Sequence, residues 1–582
     1  MSENRVYRWF RLMWTGSGGT MLFIVVLSVL VAAVQALFPW IWQFVIDEMG
    51  AGAGPARLEE LALWMLLVGL AHFVLYSALQ AARTVLNTRI QWRARRRVFA
   101  HLCQLDAEFY RRWRTGDLVT RLSDDAGDKL AWFLCSGVFR AFEAALIVLA
   151  CLATMAWIDV TLTLWVILPL PLLFWGNSLG HTTLGHRYQA VQRSISGINN
   201  ELSSTFSGIR IVQACGLEEA ARARFVHRSA QQLNAEVKTA IVRQAIGMMY
   251  GYGWQAAVVA LLIAGGFRVM DGTLSLGEYV TFEGLVMALV WPMFDFGIFV
   301  SRYKETEVTT ARLEAILDVP QDADRGGDAP LTDGRVALLG GALTDGDTVL
   351  MSDLDLTVAP GELVAVVGPV ASGKTLLMGA LAGLRPLSAG QLTLGGEDWN
   401  RLNRGARRAA IGLVPQDPVI ISTTIGDNIR LGRDVDEPTL ALALSVSQLA
   451  NDMGAFPQGL DTPLGERGMT LSGGQQQRLA LARALVGRPS VLLLDDATAA
   501  LDADTEAAFW ESLESVLPDV AAVVVTHRTA TIQRADRVVV LDGRRIAQVG
   551  THDDLIERPG PYRRIYGMFD VSEESWSGQF RV

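Results

Sequence analysis

Leu363-Val-Ala-Val-Val-Gly-Pro-Val-Ala-Ser-Gly-Lys-Thr375 is a short apolar run that passes directly into a glycine-bracketed loop. The run has the β-branched make-up of a buried strand. Behind it, Gly368-x4-Gly373-Lys374-Thr375 has the spacing at which backbone N–H groups can wrap a polyphosphate. A helical stretch, Leu376–Leu384, follows and adds the positive end of its dipole. Gly368, Pro369, Val370, Ala371, Ser372, Gly373, Lys374 and Thr375 are therefore candidate phosphate-binding residues. Lys374 is placed for the β- and γ-phosphates, and the Thr375 hydroxyl for Mg²⁺. A chance glycine-rich turn would not bring both a strand and a helix with it.

Downstream, Val491-Leu-Leu-Leu-Asp495-Asp496 reads as a second buried strand ending in two acids, the form of a Mg²⁺-holding carboxylate beyond a phosphate loop. Between the two strands, Leu471-Ser472-Gly473-Gly474-Gln475 opens a helix with Gln476, Gln477 and Arg478. Small residues at a helix start can approach phosphate closely, although that pattern alone also fits a plain cap. From about Arg335 onward, short strands alternate with helices, which predicts a soluble α/β domain.

Upstream the chemistry changes. Of 582 residues, 51% are hydrophobic and only 19% charged, and the mean hydropathy is +0.28. Such a chain is neither disordered nor wholly soluble. Nearly uncharged runs occur at Met21–Val45, Leu61–Leu79, Val138–Trp157, Val160–Leu179, Ala245–Phe267 and Tyr279–Val300. Each approaches or exceeds the ~20 residues that span ~30 Å of hydrocarbon, so six spanning helices are predicted. Only Ile158 and Asp159 join the third and fourth, which demands a tight hairpin. The first run, preceded by Arg5, Arg8 and Arg11, is longer than a signal-peptide core. Basic residues crowd the N-terminus and the segments after the second and fourth runs, placing these and the C-terminal half in the cytoplasm. The predicted layout is an N-terminal segment 1–18, a six-helix membrane domain 19–305, a linker 306–333, a nucleotide-binding domain 334–570 and a tail 571–582. A net charge of −9 argues against a nucleic-acid partner. Cys103, Cys135, Cys151 and Cys215 lack CxxC spacing and read as small packing residues.

The order of these motifs resembles that of an ABC transporter of the exporter type, with membrane and nucleotide-binding domains fused, and the likeness covers nearly the whole chain. The Q-loop glutamine matches Gln416 in Leu-Val-Pro-Gln-Asp, and the X-loop matches Leu464-Gly-Glu466-Arg-Gly468. The signature matches Leu471–Gln475, the Walker B acid Asp495, the D-loop Ala499-Ala-Leu-Asp502, and the switch histidine His527 in Val-Val-Val-Thr-His-Arg. Gly116–Arg121 with Asp125 resembles the first coupling-helix region; Glu201, Gly208-Ile209, Val212, Glu218 and Phe225 resemble the pattern near the second. The resemblance implies a six-helix all-α membrane domain followed by an α/β P-loop ATPase. It implies ATP and Mg²⁺ as cofactors, with Thr375, Gln416 and Asp495 at the metal. It implies a second half-transporter as partner, and a small-molecule, lipid or peptide substrate moved by alternating access. The protein would be multi-pass in the inner (plasma) membrane, with its nucleotide-binding domain cytoplasmic.

Three departures stand out. Asp496 occupies the position of the family's catalytic Glu, Leu343-Thr344-Asp345 offers no aromatic ring for adenine, and Ala499 replaces the D-loop serine. Beside an intact phosphate loop and signature, they resemble the degenerate subunit of a heterodimeric exporter. In that reading Asp496 and His527 are the catalytic positions of a weak or inactive site. The signature completes the partner's competent site. A slow homodimer, an exporter-fold importer and an ATP-binding regulatory subunit are the alternatives. Within the spans, His72, Glu283 and Asp295 are costly ionisable groups. Asp295 is read as a cavity residue or an interhelical contact, and Arg140 and Glu143, three apart, as a local pair. His552 belongs to a structural turn. Trp40, Trp42, Trp157 and Trp175 are interfacial anchors.

Overall fold

A computed structural model describes residues 5–321, 333–465 and 471–567. Two compact units emerge: Met1–Cys103 with Thr115–Val319, and Gln104–Arg114 with Pro320–Val582. Linker residues 322–332, X-loop residues 466–468 and the tail 571–582 lie outside the described residues, as does the side chain of Trp175.

The first unit is all-helical. Its spanning helices are Gly18–Gly50, Pro55–Leu102, Thr115–Ile158, a fourth running as Val160–Ile167 and Pro169–Ser207, then Glu218–Met270 and Leu276–Leu317. Forty-eight residues in the second make it roughly 70 Å long, more than twice the hydrocarbon thickness. Among the described residues, four helices carry apolar windows that are only 6–28% buried, so their surfaces are built to meet lipid or another chain. Asp159 makes the tight hairpin: it caps the fourth helix by accepting the Leu162 N–H at 2.9 Å, and it pairs with Arg268.

Long-range polar contacts set the helix order. Asp47 accepts the Gly277 N–H and the Ser275 hydroxyl, both at 3.0 Å, and so caps the sixth helix from the end of the first. Arg83, 3% exposed, reaches Glu143, the Ser28 hydroxyl and the Phe139 carbonyl. This corrects the local pairing of Arg140 with Glu143, since Arg140 lies 3.8 Å from Asp295 instead. Asp295 is thus in an interhelical contact. The sixth helix also runs through 306 to Leu317, a stretch that reads as a helical exit in the sequence, and Glu314 is buried there against Arg5 and Arg8. Cys135 and Cys151 are buried packing residues, but Cys103 and Cys215 are exposed.

The second unit holds two sheets. Strands β1 (Val336–Asp345), β2 (Thr348–Val358), β4 (Ala389–Leu394) and β5 (Glu397–Asp398) form an antiparallel sheet in the order β2-β1-β4-β5. The larger sheet runs β10-β9-β3-β8-β7-β6, built from β3 (Leu363–Val367), β6 (Ile411–Val414), β7 (Val491–Asp495), β8 (Ala521–Val525), β9 (Arg537–Asp542) and β10 (Arg545–Gly550). Its strands are parallel except for β10 at one edge. Every residue of β3, β7 and β8 is buried, as a parallel sheet covered on both faces requires. Val364 and Val366 pack with Leu377, Met378 and Leu381 of the helix Lys374–Leu381, while Leu363, Ala365 and Val367 face the opposite core. At ~1.5–3 kcal/mol for each large side chain buried, this packing fixes the loop between strand and helix.

Candidate nucleotide site

The chemistry gathers at the carboxyl ends of the parallel strands, where open α/β sheets bind ligands. Gly368 leaves β3 where a Cβ would meet the Leu541 carbonyl at 2.6 Å, so no larger residue fits. Gly373 has φ +103° and would drive a Cβ into Met351. Ala371 has φ +65°, a left-handed conformation that costs an L-residue roughly 1–2 kcal/mol. Lys374 Nζ donates to the carbonyls of Gly368 at 2.8 Å and Pro369 at 3.0 Å. Burial lowers its pKa, with Asp495 and Asp496 opposing.

Asp495 ends β7, 4% exposed. Burial raises its pKa, the Thr375 hydroxyl bonded to its carboxylate lowers it, and the Asp496 charge raises it again. A hydroxyl beside a buried carboxylate is the hard-oxygen pair that suits Mg²⁺, which commonly takes one or two protein carboxylates and completes its shell with water and phosphate. These residues fit the ion. Asp496 has φ +51° and donates its N–H to the Val525 carbonyl at 3.0 Å. His527, two residues past β8, has its pKa lowered by burial and then by Lys374. Gln416, two residues past β6, is exposed; the pairing of Val414 with Leu494 puts it beside the Asp495-Asp496 end of β7.

Leu471–Gln475 starts the helix Gly473–Leu485 with a full capping box: Ser472 Oγ accepts the Gln475 N–H, and Gln475 Oε1 accepts the Ser472 N–H. Gly474 is close-packed, since a Cβ would lie 3.0 Å from the Ala500 carbonyl. Arg478 forks onto Asp452 at 2.7 and 3.0 Å and holds the helix in place.

Three side chains beyond the predicted set organise these loops. Gln477 accepts the Ala500 N–H, and Arg528 donates to the carbonyls of Ala499 and Leu501 while pairing with Glu506. Arg111, on the short helix Ala107–Arg112, lies 3.5 Å from Asp345 within the same unit. The segment Gln104–Arg114, just before Gly116–Arg121, forms part of this unit. Thr344 is exposed at the end of β1, and its cross-strand partner is Val349. His552 bonds Tyr562 across its turn at 2.6 Å.

Residues 21–293 match the family model for the ABC transporter transmembrane region, and residues 351–499 match the ABC transporter model. An ABC transporter ATP-binding protein of Bacillus subtilis (strain 168), YknU, is 30% identical over 558 residues, covering 93% of each chain. The chain belongs to the ABC transporter family. A multidrug efflux ATP-binding/permease protein of Mycobacterium tuberculosis is 30% identical over 541 residues, 91% of this chain and 45% of that one. In fold, this transporter is similar to a bacterial Atm1-family ABC exporter with ATP bound (TM-score 0.80, 24% identity, 95% of this chain and 98% of that one). It is therefore a membrane-embedded transporter of the exporter fold whose nucleotide-binding domain couples ATP hydrolysis to transport.

Proposed function

We propose that this chain is the degenerate half of a heterodimeric exporter of amphipathic or hydrophobic substrates. The reading rests on Asp496. Its carboxylate is one C–C bond, roughly 1.5 Å, shorter in reach than a glutamate at the same place. A general base must come within ~2.6–3.2 Å of the proton it takes, so this shortfall slows hydrolysis at the chain's own site. The signature helix keeps its cap and its packed glycine and is fit to complete a partner's site. The Mycobacterium relative, of which this chain spans 45%, has room for two such halves. That relative is a multidrug efflux protein, which supports the substrate class.

In the proposed cycle, ATP lies between the phosphate loop of one subunit and Ser472–Gly474 of the other. Lys374 would hold phosphate, Thr375, Asp495 and Gln416 would hold Mg²⁺, and His527 would contact the γ-phosphate. When bound, magnesium would supply charge neutralisation at the phosphates. Gln104–Arg114 carries closure of the nucleotide unit toward the membrane helices. Affinity purification of a tagged copy tests the partnership. A different half-transporter with a glutamate after its Walker B aspartate should be recovered; self-association alone, with full ATPase activity, sinks the proposal.

A further inference from the structure

Three acids lie inside the long apolar stretches of the membrane unit. Glu143 pairs with Arg83, and Asp295 lies near Arg140. Glu283 differs: half-buried, it has no hydrogen-bond or ion-pair partner among the described residues. It lines a cleft of about 620 Å³ between the first, second and sixth helices, together with Gln35, Phe38, Trp42, His72 and Met287. That volume suits a drug-sized molecule.

Two acceptors of the cleft lack a donor of their own, the Glu283 carboxylate and the Gln35 carbonyl. Pro39 has no N–H to give the Gln35 carbonyl one turn back, so that oxygen lacks its intrahelical donor. Thr281 and Gly284 pack the sixth helix onto Pro39, with the Thr281 hydroxyl 3.0 Å from its carbonyl. His72 stacks on Tyr76, and its Nε2 is buried without a hydrogen-bond partner. Trp42 and Phe38 add π-faces that attract cations. Glu283 sits seven residues into its helix, roughly 10 Å from the outer end, so the cleft opens in the outer half of the bilayer. An unanswered carboxylate there costs several kcal/mol unless a cation joins it.

We propose that this cleft binds an amphipathic organic cation. Glu283 and the Gln35 carbonyl face the cationic part and the amine N–H groups that share its charge, and the apolar body lies against Phe38, Trp42 and Met287. The proposal gives the exporter reading a substrate class and rests on it only for the direction of movement.

Binding is measured without nucleotide on the full-length chain purified in detergent in whatever assembly it forms, using fluorescent ethidium as the cation and N-phenyl-1-naphthylamine as a neutral probe. Glu283→Gln should raise the ethidium Kd ~10–100-fold, the size of one charged hydrogen-bonded contact, and leave the neutral probe within about twofold. Glu283→Asp should keep most of the ethidium affinity, and Met287→Trp, which fills the cleft, should weaken both probes. Wild-type ethidium binding in Glu283→Gln, or an equal loss of both probes there, overturns the proposal. If Glu283→Gln fails to fold, Met287→Trp decides, and unchanged ethidium affinity overturns the cleft. ATP-driven ethidium flux in vesicles separates the two readings. Ethidium bound through Glu283 but never moved defeats the export reading alone; flux indifferent to Glu283→Gln defeats the cleft alone.

Discussion

Gln477 Oε1 accepts the backbone N–H of Ala500 at 2.7 Å, so the signature helix is tied to the loop that follows the Walker B acid. Gln477 itself is 7% exposed. Gln477→Ala leaves that N–H without its partner and should cost about 1 kcal/mol. Amide exchange at Ala500 should accelerate while the interior of β7 keeps its protection. Unchanged exchange at Ala500 would mean the contact does not hold the loop.

Arg528 grips the same loop from the other side. Glu506, 5% exposed, bonds both Arg528 and the Thr531 hydroxyl. Removing the arginine leaves a buried carboxylate half answered, so Arg528→Ala should destabilise the nucleotide domain by roughly 2 kcal/mol. Adding Glu506→Leu should recover much of that loss, because the charge goes with its partner. Denaturant titration of the two variants reads the difference.

Asp496→Glu should raise single-turnover hydrolysis at this chain's own site. An oriented base contributes ~10²–10⁴-fold, but two features limit the gain. Ala499 and the missing aromatic remain, and position 496 has φ +51°, which aspartate tolerates better than glutamate. A gain of about tenfold with a small loss of thermal stability is the expected outcome. No gain would show that loop geometry, rather than side-chain length, limits the site.

Gly474→Asp and Lys374→Ala should differ sharply in the co-expressed complex at saturating ATP. The first places a Cβ 3.0 Å from the Ala500 carbonyl and an anion toward the partner's γ-phosphate; the expected loss of ATPase activity is at least the ~10²–10³-fold seen when one transition-state donor is removed. On the heterodimer proposed above, the second should weaken nucleotide occupancy at this chain's own site and leave turnover at the partner's measurable. Equal losses would favour two equivalent, strictly coupled sites.

Arg83 and Glu143 form a buried pair in the helix bundle. Either single change, Arg83→Met or Glu143→Met, should cost about 3–5 kcal/mol, whereas the double change should come close to neutral. A double-mutant cycle on thermal unfolding in detergent measures the coupling.

Sequence alone carried the phosphate loop and the Walker B strand because both are local. A buried parallel strand is a continuous apolar run, and the loop's glycines answer clashes with Leu541 and Met351 nearby. The pairing of Arg83 with Glu143 is different. Sixty residues separate them, and the i,i+3 spacing of Arg140 and Glu143 suggested the wrong partner. The positive φ of Ala371 and Asp496 was equally hidden, since no glycine marks either position. Arg528 stood in the quoted switch stretch beside His527, but its reach to Ala499 and Leu501 exists only once β7 and β8 are neighbours.

Asp47 has a consequence for how such a bundle can open. Its carboxylate fastens the outer end of the first helix to the start of the sixth, and Thr281 repeats the join at Pro39 one turn deeper. Two fasteners on one seam favour moving the pair as one body on the outer side. In the proposed cycle an outward gate would then part along a different seam, and the wall of the Glu283 cleft formed by these two helices would travel undivided.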